Sequence, residues 1–496
     1  MKLEVIIGLE THIQLKTKSK LFCGCSNHES NTPNANVCPV CVGHPGTLPV
    51  PNEQAVRWAV LLGLALGGEI TPHSKFDRKH YFYPDLPKAY QISQFDLPIM
   101  HDGSIDLDVP GEDKPVTIRI ERLHLEEDAA KNIHGDDGKS YVDFNRGGTP
   151  LCEIVSRPDI SSAAQAKAYM QELRIIARTL GVSDGNMEKG HLRCDVNISL
   201  RPEGEEVLYT KTEIKNVNSF KAVERVIEYE IKRQTHLWEA GNPPSVLTTR
   251  GWNDAKQITE EQRVKEDAAD YRYFPEPDIP PMDLRDMATD AKRRLPELPR
   301  AKRKRFVEEY GFKIGDVRMM VDDPKLAEFT EQAMSELAAW LTAKPELDDE
   351  NILEYRKKLA KLTAGWLLNK LMGLLGERKG DIRTMKVNPE NFAEFITMIA
   401  DGKLTGRRGL EVLGKMLETG GDPSNIVEDL GAQRLDDVTA LATIVETVIE
   451  ENSSEVERYR GGETKLIKFF VGQVMKASRG NADPQTSEKI LKDKLK

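Results

Sequence analysis

The strongest constraint on the fold is a change of pattern at the proline-rich stretch Pro275 to Pro281. Before it, short alternating or β-branched runs, such as Leu3 to Ile7, Val116 to Ile120, Tyr141 to Phe144 and Val196 to Leu200, are separated by Gly, Pro and Asp turns. Such alternation predicts half-buried strands of a mixed, mostly antiparallel sheet. Two helices interrupt them, Asn52 to Leu66 and Ser162 to Leu180, the second opened by a Ser-Ser cap signal and closed at Gly181. After the stretch, apolar residues recur with the 3.6-residue period, and Gly and Pro retreat to segment ends. The expected fold class is α+β: a sheet domain over 1–290, a helical domain over 291–387 and an all-α tail over 388–496, with a hinge before Asn388-Pro389.

With 496 residues the chain exceeds what one hydrophobic core usually serves, which agrees with several domains. It contains no run of about 18 apolar residues, so no membrane-spanning helix and no membrane role are expected. The N-terminus passes from Met1-Lys2 straight into a strand pattern without an apolar signal core, and the expected location is cytoplasmic. A net charge of -10 excludes indiscriminate binding of nucleic acid over the whole surface, because that binding is driven by cation–phosphate contacts. A local basic run remains: Lys292, Arg293, Arg294, Arg300, Lys302, Arg303, Lys304 and Arg305 against the single acid Glu297. It reads either as a solvated helix face or linker, or as a nucleic-acid contact.

Four of the six cysteines fall in Cys23-x-Cys25 and Cys38-x-x-Cys41. Two such knuckles joined by a short loop can supply the four soft ligands of tetrahedral zinc without a large core. A closed site of this kind is structural, since no coordination position is left for substrate. Unmetallated thiols and a disulfide pair are the alternatives, the latter disfavoured in a chain without a secretion signal. Cys152 and Cys194 read as buried small residues.

A dispersed set of acids lies on expected strands or strand ends: Glu10 and His12, Glu126 and Glu127, Asp195, and Glu213. Glu10 and His12 are two positions apart, so on a strand both point to one face. Oxygen ligands with one imidazole suit magnesium or manganese; taken singly, each acid is more often a surface carboxylate or turn residue. The run Phe76 to Lys88, with Lys79 and Tyr81, interleaves cations with aromatics and could pair phosphates and stack a base, or pack as an amphipathic loop. No Gly-x-x-x-x-Gly-Lys-Ser/Thr loop occurs, so P-loop chemistry has no anchor.

Six runs together resemble a known family: Ile7 to His12, Asp77 to Asp85, Asp143 to Val155, Asp184 to Glu188 with Leu192 to Asn197, Glu213 to Asn216, and Asp270 to Asp278. Over nearly its whole length the chain is similar to the B subunits of three-subunit aspartyl/glutamyl-tRNA amidotransferases. The resemblance implies a cradle-shaped catalytic domain, a helical domain and a tail similar to the small YqeY proteins, the tail match including Asp401 to Thr405 and Phe470 to Lys476. The chain departs from the usual pattern at Gln262 to Glu266, where Met-Arg commonly precedes Lys-Glu, and at His44, where an apolar residue is usual.

What the resemblance implies is an ATP-dependent ligase reaction on misacylated Glu-tRNA(Gln) or Asp-tRNA(Asn). Glu10, His12, Glu126 and Glu213 are the implied magnesium ligands, Asp195 lies near the nucleotide or a second ion, and Lys79 and Tyr81 contact phosphate and nucleotide. Cys23, Cys25, Cys38 and Cys41 are the expected zinc ligands. No glutaminase arrangement is present, so ammonia is expected from a partner amidase (glutaminase) chain of the same complex, with the small third chain of the complex wrapped around the interface. The competing reading is a non-catalytic zinc- and tRNA-binding adaptor, which would show no ATP cleavage dependent on misacylated tRNA.

Overall fold

The computed structural model describes residues 2–265, 271–342, 349–432 and 438–495. Met1, Glu266 and Asp270 of the segments quoted above lie outside them, as do the side chains of Asn216, Arg263, Val264 and Lys265. The chain divides into two compact units, Met1–Pro299 and Arg300–Lys496.

In chain order the first unit has strands β1 (Leu3–Gln14), β2 (Glu69–Ile70), β3 (His73–Ser74), β4 (Asp77–His80), β5 (Tyr90–Ser93), β6 (Met100–Leu107), β7 (Val116–Glu127) and β8 (Lys131–His134). It continues with β9 (Ser140–Asp143), β10 (Pro150–Ser156), β11 (Leu192–Pro202), β12 (Thr212–Val217), β13 (Leu247–Asn253), β14 (Ile258–Lys265), β15 (Phe274–Pro275) and β16 (Met282–Asp283). The helices are α1 (Glu53–Ala65), α2 (Ala163–Thr179), α3 (Phe220–Glu239) and α4 (Arg285–Arg294). Side chains cap the first three as their sequences require: Asn52 accepts from the amides of Gln54 and Ala55, Ser162 from Gln165, and Ser219 from Ala222.

Nine strands form one sheet in the order β14-β13-β12-β11-β1-β10-β7-β6-β2. Within it β12 and β13 run parallel and the other neighbours antiparallel. Because successive side chains alternate across a strand, β1 sends Ile7, Leu9, Thr11 and Ile13 to a buried face. There they join Cys152, Ile154, Cys194, Val196 and Ile198 of the flanking strands, together with Tyr169, Met170, Leu173 and Ile176 of α2 and Val223, Val226 and Ile227 of α3. Thr11 Oγ1 lies 3.4 Å from the Met170 sulfur, which fixes α2 directly against β1. Each fully buried Leu or Ile in this layer contributes about 1.5–3 kcal/mol relative to exposure. The opposite face of the sheet is left to the polar residues of the same strands.

A small sheet, β15-β4-β5, joins two segments far apart in sequence. Phe274 pairs with Arg78 and Pro275 with Asp77. The Arg78 guanidinium sits 4.4 Å from the centre of the Tyr90 ring and makes two hydrogen bonds, of 2.7 and 2.9 Å, to the Glu276 carboxylate. The cation-and-aromatic run is thus partly spent on its own packing.

The second unit begins with α5 (Pro299–Tyr310) and continues with α6 (Ile314–Val321), α7 (Pro324–Thr342), α8 (Asp349–Ala364), α9 (Met372–Glu377) and α10 (Pro389–Ala400). It ends with α11 (Gly406–Thr419), α12 (Pro423–Asp429), α13 (Val438–Glu451), α14 (Ser453–Arg460), α15 (Ile467–Ala477) and α16 (Pro484–Lys494). One hydrophobic cluster runs from Phe306 to Ala432 and a second from Leu441 to Leu495. Asn388-Pro389, expected at a hinge, starts α10: the Asn388 side chain accepts from the Asn391 amide at 2.7 Å, and Phe392 packs on Phe329 of α7. The first cluster therefore continues through position 388. In the basic run, Lys302 and Arg305 both bond Glu331 of α7, and Arg303 is buried, so part of that charge is internal structure. Among the described residues no helix is long and apolar enough to cross a membrane.

Candidate functional site

The register of five adjacent strands decides where the acids go. Residues directly opposite one another in a sheet share a face. His12 lies opposite Glu153 on one side and Arg193 on the other, and Glu153 lies opposite His124. Glu10 lies opposite Asp195, and Asn197 opposite Glu213. Adding the two-residue steps to Glu126 and Lys215, all these side chains belong to the face of the sheet turned away from α2 and α3.

Two groups form on this face. In the first, His12 Nε2 lies 3.5 Å from Glu126 Oε1 and 3.4 Å from Glu153 Oε2, while His124 Nε2 lies 3.7 Å from Glu126 Oε2 and 3.4 Å from Glu153 Oε2. Glu126 also accepts from the Ser93 hydroxyl at 3.3 Å. Burial works against a charged His12, yet the Glu126 and Glu153 carboxylates override it and push its pKa up to about 10. Burial and the Glu153 charge likewise oppose ionisation of Glu126, but His12, His124 and Lys79 hold it well below the usual carboxylate range. The Lys79 ammonium is held charged against its own burial mainly by Glu126, and it lies 5.0 Å from the centre of the Tyr271 ring. Tyr81 follows two positions later, its hydroxyl pushed up by burial.

The second group centres on Lys215, whose Nζ lies 2.7 Å from Asp195 Oδ2 and 2.6 Å from Glu213 Oε1. Thr249 donates to Glu213 at 3.1 Å, and Asn197 donates to Glu10 at 2.9 Å. Glu127 points elsewhere, to Lys88 at 2.6 Å and to the Ile92 amide at 2.9 Å. It braces β7 against β5.

Of the expected ligands, the structure brings His12 and Glu126 together, and adds Glu153. Their ligand atoms all lie within 4.8 Å of one another. Glu10 and Glu213 stand on the same face in neighbouring rows, each with the partners just described. Sequence reasoning passed over Glu153, His124 and Lys215. A signal was present: Glu153 is a lone acid in Leu151-Cys152-Glu153-Ile154-Val155, a run otherwise apolar, and His124-x-Glu126 has the same two-residue spacing as Glu10-x-His12. Two carboxylates crossed by two imidazoles, 4% to 8% exposed in the case of His124, Glu126 and Glu153, form a donor set that takes up either protons or a divalent cation. His124 Nδ1 is buried without a hydrogen-bond partner, which fits a site assembled for more than its own packing.

The cysteines form a separate centre. Cys23, Cys25, Cys38 and Cys41 offer sulfurs within 4.8 Å of one another, and all six cysteines of the chain are free thiols. Tetrahedral zinc–sulfur bonds of about 2.3 Å separate sulfurs by about 3.8 Å, so this set fits a metal after small adjustments. The turn after Cys38 aims an amide at one of these sulfurs: Cys38 N donates to Cys41 Sγ at 3.2 Å. The Cys23 thiol, and more distantly Lys20, hold the Cys41 thiol down to about 4, whereas burial pushes Cys25 up to about 11. Cys152 and Cys194 lie in the apolar layer and their thiols are pushed up by burial.

Known proteins share this arrangement of sequence. Residues 5–290 match the GatB/GatE catalytic domain and residues 350–495 the GatB domain. Among curated proteins, the aspartyl/glutamyl-tRNA(Asn/Gln) amidotransferase B chain of Crocosphaera subtropica is 48% identical over 98% of this chain and 97% of its own length. Those of Trichodesmium erythraeum and Persephonella marina are 45% and 46% identical, over 100% of this chain in both cases and over 98% and 100% of their own lengths. The sheet with one helix-covered and one charged face, the following helices and these full-length matches agree: the chain belongs to the GatB family of aspartyl/glutamyl-tRNA(Asn/Gln) amidotransferase B subunits.

Proposed function

We propose that the chain is the tRNA-handling, ATP-using component of an amidotransferase that converts glutamate or aspartate esterified to tRNA into glutamine or asparagine. The observation that supports this most is the charged sheet face, where His12, Glu126 and Glu153 converge and Glu10, Asp195 and Glu213 occupy the adjoining rows. The names of the relatives, which specify tRNA(Asn/Gln), supply the substrate class.

A carboxylate does not react with ammonia at useful rates, because its oxygen leaves poorly and its charge repels the nucleophile. In the proposed reaction the side-chain carboxylate of the misacylated tRNA attacks the γ-phosphorus of ATP, forming an O–P bond as the bond to ADP breaks. Ammonia then forms the C–N bond and phosphate leaves. The first step depends on positioning and on neutralising charge.

His12 and Glu126 with Glu153 would hold one magnesium ion, and Glu10 and Glu213 would serve the same face from the next rows, with Asp195 near the nucleotide or a second ion. Bound magnesium would supply charge neutralisation at the phosphates. Lys79 and Tyr81, whose side chains feel the Glu126 charge, would meet phosphate and nucleotide. Cys23, Cys25, Cys38 and Cys41 would hold structural zinc. Ammonia comes from the partner amidase chain, with the small third chain completing the assembly, in the cytoplasm.

The test is ATP cleavage by the chain assembled with its amidase partner and the small third chain. Cleavage is expected with Glu-tRNA(Gln) or Asp-tRNA(Asn) and not with correctly charged tRNA. ATP turnover indifferent to misacylated tRNA would favour the adaptor reading.

A further inference from the structure

Among the described residues Lys20 is the largest charged side chain that is completely buried, at 0% exposure. A buried ammonium costs several kcal/mol unless a negative charge faces it. Its polar neighbours are the Phe144 carbonyl oxygen at 3.1 Å and Cys41 Sγ at 3.7 Å. Among the described residues no carboxylate forms an ion pair with it. The carbonyl is neutral, which leaves the thiol group as the source of countercharge.

The surroundings hold Lys20 in this place from both sides. Its backbone amide donates to Cys25 O at 3.0 Å, so the residue is part of the first cysteine knuckle. Leu21 N donates to Gly148 O at 2.8 Å, which draws the 144–148 loop over the side chain. Gly148 adopts φ +84, and a Cβ there would stand 3.4 Å from Lys20 Cδ and 3.7 Å from Cys41 Cβ. The loop closes against the lysine at the one residue that can make this turn.

We infer that Lys20 is a positioning residue of the cysteine centre, its ammonium donating to the Cys41 sulfur and offsetting the negative charge of a metal-loaded site. This rests on the proposed zinc site. Four thiolates around a divalent ion leave an excess of two negative charges, and a buried cation beside one sulfur removes part of it. The same ammonium ties the knuckle to the sheet domain through Phe144. Outer partners of this kind commonly contribute about 10–100-fold to metal affinity.

The experiment compares the full-length chain with Lys20→Met, which keeps length and apolar volume and removes the charge. Zinc content is measured after purification, then zinc release to excess chromophoric chelator, with circular dichroism as a check on folding. Release is expected to be about 10–100-fold faster in the variant. A second reading comes from cobalt-loaded protein: without the hydrogen bond the Cys41 thiolate is more electron-rich, so the sulfur-to-cobalt charge-transfer band should move to longer wavelength. Simple loosening of packing would not shift it in that sense. If Lys20→Met does not fold, Lys20→Gln carries the same comparison, since it retains an amide donor for Phe144 without the charge. Unchanged release and an unchanged band in the variant would overturn the inference while leaving the zinc site standing. Absence of stoichiometric metal from the unmodified chain would remove the zinc site itself, and the inference with it.

Discussion

The two clusters among the described residues that could hold a metal ion are built by opposite routes. The cysteine centre draws its four thiols from positions 23–41, a single loop between β1 and α1. The carboxylate–imidazole group draws His12, Glu126 and Glu153 from β1, β7 and β10, and it exists only when those strands pair in one register. A slip of one residue would send every acid to the apolar face. The difference shows which kind of site carries its own instructions. A loop of soft ligands needs little from the fold, whereas a row of hard ligands depends on the whole sheet. Their charges are balanced differently as well: the acids are answered by two imidazoles and Lys79, the sulfurs by Lys20.

The largest effect should follow from the sheet-borne group. Glu126→Gln keeps the shape of the side chain and one acceptor oxygen while removing its charge, and should lower ATP cleavage dependent on misacylated tRNA by at least about 100-fold, the usual consequence of misplacing reacting groups. Glutamine hydrolysis by the assembled enzyme should survive, and free ammonia should not restore amide formation, because the missing step precedes ammonia attack. Glu153→Gln should behave alike. If Glu153→Gln retained wild-type rates while Glu10→Gln lost them, the ion would have to be reassigned toward Glu10 and Asp195.

The same contrast explains what could be read in advance. The strand Leu3 to Ile7 and the helices from Asn52 and Ser162 were legible because alternation, period and caps are local, and they appear as β1, α1 and α2. The four cysteines were legible for the same reason. Glu153 was not singled out, because its meaning lies in its pairing with His12 and His124, which no local pattern encodes. Lys215 was passed over likewise: its role appears only when β11 brings Asp195 beside it. The extent of β1, twelve residues and not the five that alternation marked, depends on β10 and β11 being present to pair with it.

A smaller effect on chemistry is expected from the loop-borne centre. Cys38→Ser should abolish stoichiometric zinc and loosen the 23–41 loop, seen as faster proteolysis or amide exchange there, with ATP cleavage falling only a few-fold. Loss of ATP cleavage as severe as in Glu126→Gln, in protein that still folds, would mean that the cysteine centre reaches the reaction and is not merely structural.

The smallest effect concerns a cysteine belonging to neither centre. Cys194 stands between Arg193, which lies opposite His12, and Asp195, which lies opposite Glu10, yet its own side chain enters the apolar layer with Thr11 and Val196 on the far side of the sheet. A strand insulates its two faces as long as its backbone hydrogen bonds hold, so a small change on one face should scarcely alter charge positions on the other. Cys194→Ala removes one buried sulfur and leaves a small void, which should lower stability by about 1 kcal/mol in urea unfolding. Zinc content and tRNA-dependent ATP cleavage should be unchanged. Loss of zinc would place Cys194 in the metal centre, against its position in the apolar layer. A loss of ATP cleavage larger than the stability change explains would show that packing beneath β11 sets the position of Asp195, so that the charged face depends on the filling of the core behind it as well as on strand register.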